Sequence, residues 1–228
     1  MFTEGDTMIG KYEEEKTFDY ENGFYLTSDP YRFGNIMAHY ELYKKIIELP
    51  GSVIELGVFK GSSLIQFCTF RELLENENSR RIVGFDMFDE FPMADKIKSD
   101  QEFVEAWNTQ FEGEFLSKED LYKSLALKKI SNVELIKGNI MDTVDQYLLE
   151  NPSERIALLH IDTDVYEPAK KGLEEMFDRV VRGGVIIFDD YAVVEGETLA
   201  IEEFFADKKI LLKKFPFSHG KPSYIVKE

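Results

Sequence analysis

The chain has 228 residues, long enough for one domain with a sizeable core and short for two. Its 27 Lys and Arg against 44 Asp and Glu leave a net charge of −17, which disfavours nucleic acid as the main partner because phosphate binding needs a basic face. Hydrophobic residues at 43% exclude intrinsic disorder, and no apolar run reaches the roughly 18 residues of a membrane span.

Residues 1–30 are acidic and aromatic, with Glu13-Glu-Glu15 ahead of Phe18, Tyr20, Phe24 and Tyr25. They read as an arm, either solvated or acting as a lid or oligomer contact. The opening Met1-Phe-Thr-Glu-Gly-Asp is polar and acidic, unlike an ordinary signal peptide. Residues 31–228 are expected to form a single domain. Ile36, Tyr40, Tyr43 and Ile47 recur at helical spacing, which predicts a helix over 34–48 ended by Pro50-Gly51. Ser52-Val-Ile-Glu-Leu-Gly57 is a short strand into a glycine turn, followed by a helix over 61–75. Cys68 falls in that helix among apolar residues and reads as buried. As the only cysteine it allows no intrachain disulfide, which fits a cytoplasmic chain.

Arg81-Ile-Val-Gly-Phe-Asp86 is the next strand, and repeated β-α-β units imply a parallel sheet. Residues 87–130, with Phe88, Phe91, Trp107, Phe111 and Phe115 among many charges, interrupt the alternation as a lid-like insertion with helical parts. Then come a strand at 133–138, a helix at 141–150, the strand Ile156-Ala-Leu-Leu-His-Ile161, and a helix with Pro168 in its first turn. Gly183-Gly184 is expected to stop that helix and start the strand ending at Phe188. A helix near 197–206 and two strands, 211–215 and 223–227, complete the chain. The short turn 218–222 between those strands suits an antiparallel hairpin.

The predicted fold class is therefore α/β: a mostly parallel sheet with helices on both faces, ending in an antiparallel hairpin. In such sheets the ligand crevice lies outside the carboxyl ends of the strands. Two strands end there in acidic clusters, Asp162-Thr163-Asp164 and Asp189-Asp190. Two like charges about 4 Å apart cost roughly 4 kcal/mol at an effective dielectric near 20. A divalent cation is the simplest way to offset that repulsion, and it suggests chemistry on oxygen. All-oxygen donors favour Mg²⁺, Mn²⁺ or Ca²⁺.

Glu55-Leu-Gly-Val-Phe-Lys-Gly61-Ser62-Ser63 lacks the three-glycine dinucleotide fingerprint, which argues against NAD. A carboxylate two residues before Gly57 suits a ligand carrying an amino group. Asp86 is placed to accept from a ribose diol, and Gly138-Asn139 ends the strand beside which an adenine could lie. Together these strand ends describe a pocket for S-adenosyl-L-methionine. The expected cofactor contacts are Glu55, Gly57, Phe59, Gly61, Ser62, Ser63, Asp86, Gly138, Asn139 and Asp162. Candidate substrate contacts are Lys60, Tyr191 and His219. His219 and Lys221, in the hairpin turn, are otherwise solvated, and His160 reads as a core residue.

The stretches His39-Tyr-Glu-Leu-Tyr43, Glu55-Leu-Gly-Val-Phe-Lys-Gly61, Gly84-Phe-Asp-Met-Phe-Asp-Glu-Phe-Pro92, His160-Ile-Asp-Thr-Asp-Val-Tyr166 and Gly183-Gly-Val-Ile-Ile-Phe-Asp-Asp-Tyr191 resemble the macrocin/mycinamicin/novobiocin sugar O-methyltransferases over about residues 30–205. The resemblance implies a Rossmann-like class I methyltransferase fold with a seven-stranded sheet, bound magnesium, and methyl transfer to a sugar hydroxyl. By motif position Asp162, Asp189 and Asp190 hold the metal and Asp164 is the general base, with Asp162 the other candidate proton acceptor. Related catechol enzymes place a lysine three residues after the first metal carboxylate, where this chain has Val165. The acceptor is expected to be a nucleotide-activated sugar or a glycosylated small molecule, in a polysaccharide or natural-product pathway. The competing expectations are a catechol or phenol acceptor, and a non-catalytic binding protein. A homo-oligomer, dimer or tetramer, is expected, with no nucleic-acid or membrane partner.

Overall fold

The main strands are β1 (Ser52–Leu56), β2 (Ile82–Asp86), β3 (Val133–Lys137), β4 (Ile156–Ile161), β5 (Val180–Phe188), β6 (Lys213–Lys214) and β7 (Ser223–Val226). In the computed structural model, which describes residues 8–218 and 220–228, they form one sheet in the order β3-β2-β1-β4-β5-β7-β6. The first five run parallel, and β7 and β6 close the edge antiparallel. Every residue of β1 and β4 is buried, as expected of central strands covered on both faces. The strand order reverses between β1 and β4, which opens a crevice at their carboxyl ends.

The helices are α1 (Thr17–Thr27), α2 (Pro30–Tyr43), α3 (Ser62–Leu74), α4 (Lys98–Gln110), α5 (Lys118–Leu127), α6 (Ile140–Glu150), α7 (Tyr166–Met176) and α8 (Glu195–Phe205). Strand alternation sends Ile54, Leu56, Ile186 and Phe188 into one core layer with Val144, Leu173 and Ile201 of α6, α7 and α8. Val53, Val185 and Ile187 enter the opposite layer with Leu42 of α2 and Phe67 of α3. Full burial of each such side chain contributes about 1.5–3 kcal/mol. Helix α7 lies so close to the sheet that a Cβ on Gly172 would sit 2.3 Å from the Leu56 Cδ1. Leu56 is itself wholly buried and cannot swing away. Gly172→Val should therefore lower stability by about 1–3 kcal/mol, read from the urea midpoint. No helix among the described residues is long and apolar enough to cross a membrane.

Three expectations change in detail. The helix predicted over 34–48 starts earlier, because Asp29 caps it through Tyr31 N at 3.0 Å and Pro30 fits its first turn. It stops at Tyr43, and residues 44–48 form tight turns. Gly183-Gly184 does not stop a helix: α7 ends at Met176, and the pair lies inside β5. A Cβ on Gly184 would come within 3.0 Å of Ala157 O and 2.8 Å of Val181 O, so the glycine serves a close strand approach. The β6–β7 connection spans 215–222 rather than a five-residue turn and contains a 3-10 turn over Pro216–Ser218.

That connection is fixed by its own packing. Phe215 stacks on Phe217 and Tyr224, with centroids 5.0 and 5.2 Å apart. Its backbone meets α2 at Gly34, where a Cβ would lie 2.2 Å from Phe217 O. At the other end of the chain, α1 has no buried residue, and Phe24 meets Phe33 of α2 at 5.1 Å. His219 and the opening Met1–Asp6 segment lie outside the described residues.

Candidate active site

A cavity of about 740 Å³ opens at the carboxyl ends of β1, β2, β4 and β5. The glycine turn forms one wall. Gly57 has φ +86, and a Cβ there would fall 1.8 Å from Asp162 O, so only glycine lets β1 and β4 come this close. Asp86 Oδ2 accepts from Val58 N at 2.8 Å and Phe59 N at 2.9 Å, and Oδ1 accepts from Phe88 N at 2.6 Å. An ionised carboxylate offers about four acceptor sites. Three are already occupied by main chain, so Asp86 clamps the glycine turn first and has about one site left for a ligand hydroxyl. Asn139 caps α6 through Met141 N at 3.0 Å, and its side chain also borders the cavity, as does Gly138.

Gly57, Phe59, Ser62, Ser63, Asp86, Gly138, Asn139 and Asp162 all line this one cavity. Glu55 does not. It is wholly buried on the α3 side of β1, where its Oε1 accepts from Ser63 Oγ and from His160 Nδ1 at 3.0 Å. Gly61 is also off the cavity wall; it starts α3 in the left-handed region with φ +77 and packs against Leu121. Among the proposed substrate contacts, Lys60 lines the cavity, with its Nζ 3.1 Å from Glu114 Oε2 and 4.7 Å from the Phe111 ring centroid. Tyr191 does not: its ring packs on the α6–α8 core layer and its hydroxyl faces Glu202 Oε1 at 3.5 Å. Its position after Asp190 suggests the cavity, but its ring packs on the core layer instead.

The acidic clusters meet because β4 and β5 are parallel neighbours. Ile161 pairs with Phe188, so the next residues, Asp162 and Asp189, emerge side by side. One carboxylate oxygen from each of Asp162, Asp189 and Asp190 lies within 4.8 Å of the other two. Asp164 follows in the left-handed region at φ +60, which Asp tolerates better than most residues. Burial, then the negative charge of Asp189, raises the Asp162 carboxyl well above the usual range. Burial and Asp190 do the same to Asp164. Burial works to raise Asp189 as well, but His160, His39 and Lys221 hold it well below its ordinary value.

The nitrogen side of Asp189 is built from the core. His160 Nε2 lies 3.7 Å and His39 Nε2 3.8 Å from its Oδ1, and Asn35 Nδ2 donates to the same oxygen at 3.4 Å. Each histidine is oriented through Nδ1, His160 by Glu55 and His39 by Gln66 Oε1 at 2.9 Å. Burial would lower the His160 imidazolium, but the flanking Asp189 and Glu55 carboxylates raise it well above its usual value. His160 is thus a core residue, as read from sequence, that also braces the site.

Two residues join the site without a local sequence signal. Glu197, wholly buried in the first turn of α8, accepts from Thr163 N and Asp164 N at 3.2 Å through Oε2 and from Asp190 N at 3.1 Å through Oε1. It staples the two acidic loops together, and burial beside Asp190 pushes its carboxyl up to about 8. Lys221, expected in solvent, reaches back so that its Nζ lies 2.8 Å from Asp190 Oδ1 and 3.2 Å from Asp189 Oδ2.

Residues 87–130 bring aromatic side chains to the cavity beside the glycine turn. Phe91, Phe103, Trp107 and Phe115 line the cavity, and Phe59 meets Trp107 with centroids 5.1 Å apart. Helix α4 is tied down by Asp100, whose Oδ2 accepts from Tyr166 N at 2.8 Å. Helix α7 has no side-chain cap of its own, so the insertion supplies one.

A sequence profile described as macrocin O-methyltransferase matches residues 36–214. The chain belongs to the macrocin O-methyltransferase family. Among similar proteins, the 8-demethyl-8-(2,3-dimethoxy-alpha-L-rhamnosyl)-tetracenomycin-C 4'-O-methyltransferase of Streptomyces olivaceus is 28% identical over 148 residues, 64% of this chain and 54% of the relative. The chain thus spans about half the length of that curated relative. The crystal structure of the calicheamicin methyltransferase CalS11 aligns with a TM-score of 0.69 and 25% identity over 92% of this chain and 85% of that one. The O-methyltransferase NovP aligns with a TM-score of 0.74 and 20% identity over 84% of this chain and 78% of that one, a likeness of fold alone. The seven-stranded sheet with its antiparallel end is thus the Rossmann-like methyltransferase fold expected from the sequence. The family match includes both acidic loops, the glycine turn and Glu197, and it ends before Lys221.

Proposed function

We propose that the chain is an S-adenosyl-L-methionine- and divalent-metal-dependent O-methyltransferase acting on a sugar hydroxyl. The observation that carries this reading is the meeting of the glycine turn and the two acidic loops in one cavity of about 740 Å³. Family membership and the sugar-directed relative support it. The donor set fits a hard cation: the three grouped carboxylates provide only oxygens, one from each within 4.8 Å of the other two. Asp162, Asp189 and Asp190 would hold the ion, which supplies Lewis-acid polarisation of an acceptor oxygen.

The methyl donor supplies a sulfonium-bound methyl group to attack. Gly57, Ser62, Ser63, Asp86, Gly138 and Asn139 form the wall that would receive it, with Asp86 taking one ribose hydroxyl. Asp164 accepts the acceptor hydroxyl's proton, with Asp162 as the other acceptor on the same loop. Phe91, Phe103, Trp107 and Phe115 exclude water and orient the acceptor. Positioning of this kind supplies on the order of 7–11 kcal/mol of the barrier. The expected acceptor is a nucleotide-activated sugar or a glycosylated small molecule. The N-terminal arm and the 87–130 insertion select it. The exposed Phe18, Tyr25 and Leu26 of α1 favour a homo-oligomer, which sedimentation would test.

Mass-shift screening of nucleotide sugars, rhamnosylated products and catechols with the methyl donor and Mg²⁺ tests the reading. A gain of one methyl on a sugar supports it; turnover of catechols alone would replace it. Asp86→Ala should weaken S-adenosyl-L-methionine binding by about 30-fold or more, because it frees three turn amides as well as losing a ligand contact. Calorimetric titration measures this directly.

A further inference from the structure

Lys221 comes from a segment beyond the residues matched to the family, yet its ammonium sits against the two carboxylates that end β5. It is not a loose surface lysine. Its side chain is 26% exposed, and it borders the cavity. The loop bearing it is set by the Phe215–Phe217–Tyr224 stack, the buried Ser218, whose Oγ donates to Phe215 O at 2.9 Å, and the close approach to Gly34. The two oxygens it engages, Asp189 Oδ2 and Asp190 Oδ1, belong to carboxylates already grouped with Asp162. Asp189 Oδ1 is separately braced by Asn35 and faced by two histidines, so Oδ2 is the oxygen it turns toward Lys221.

We propose that Lys221 is a tethered cation that holds the Asp189–Asp190 pair in the metal-free enzyme and competes with the divalent ion for it. The inference rests on the metal reading given above. Two adjacent buried carboxylates without a cation repel each other, and a covalently attached ammonium offsets that at high local concentration. The ion must displace it, so Lys221 lowers the apparent metal affinity and keeps the acidic loops in place until the ion arrives. Once displaced, the ammonium remains at the cavity wall.

Mn²⁺ titrated into the chelator-stripped full chain, followed by electron paramagnetic resonance of the free ion, tests this. Lys221→Met should bind Mn²⁺ about ten-fold tighter than the unmodified chain, and its metal-free melting temperature should fall while its Mn²⁺-saturated one does not. Lys221→Arg, which keeps the charge, should bind Mn²⁺ as the unmodified chain does. Equal or weaker binding by Lys221→Met overturns the proposal while leaving the metal reading intact. No Mn²⁺ binding by either chain overturns both. Should Lys221→Met fail to fold without metal, Lys221→Gln gives the same comparison with a polar side chain.

Discussion

Asp189→Asn is expected to lower turnover by about two to three orders of magnitude while changing S-adenosyl-L-methionine affinity by no more than about three-fold. Asp189 is the junction of the site: its Oδ1 faces Asn35, His39 and His160, its Oδ2 faces Lys221, and its carboxylate groups with those of Asp162 and Asp190. The amide keeps an oxygen for the nitrogen side, so the fold is retained. It removes the charge that the proposed cation would need, and it places a neutral group where the proposed polarisation of the acceptor would occur. The wall proposed for the methyl donor is formed by the loops after β1, β2 and β3, none of which the substitution changes. Steady-state rates with Mg²⁺ and a calorimetric titration separate the two quantities. Excess chelator on the unmodified chain should reproduce the loss. Full turnover in both the variant and the chelated enzyme would remove the metal from the mechanism.

Glu197→Ala is expected to cost on the order of 4 kcal/mol of stability and to lower the melting temperature by about 10 °C. The substitution leaves Thr163 N, Asp164 N and Asp190 N without their acceptor in a buried setting. Each unsatisfied buried donor costs about 1–3 kcal/mol. Activity falls with it, because these amides set the direction of both acidic loops. Glu197→Gln keeps one carbonyl oxygen and should recover part of the loss. Thermal melts of the three proteins give the order, and a melting temperature for Glu197→Ala within about 2 °C of the unmodified chain would show that the loops hold themselves.

How much of this was legible before the tertiary structure depended on the range of each interaction. β1, β2, β4 and the end of β5 announce themselves as apolar runs stopping at Gly57, Asp86, Asp162 and Asp189. The rule that parallel strands point their carboxyl ends one way then gathers those residues without any coordinates. The same local reading misjudged Gly183-Gly184. A glycine pair after a helix resembles a stop, and only the approach of Ala157 O shows why β5 needs it. Glu55 was read as a ligand contact because of its spacing from Gly57. A strand alternates faces, however, and its side chain points under α3 instead of into the cavity.

The sequence by itself determined the α/β class, the parallel sheet, the glycine turn and the position of four aspartates at strand ends, because these follow from periodicity and from residues near one another in the chain. The tertiary structure alone decided that Glu197 joins the two acidic loops, that Asp86 is largely occupied by the turn it supports, that Tyr191 packs on the core layer rather than lining the cavity and that Lys221 enters the acidic group. Those outcomes depend on where side chains from distant segments end up, and a contact such as Lys221 with Asp190, 31 residues apart, leaves no periodic trace in either segment.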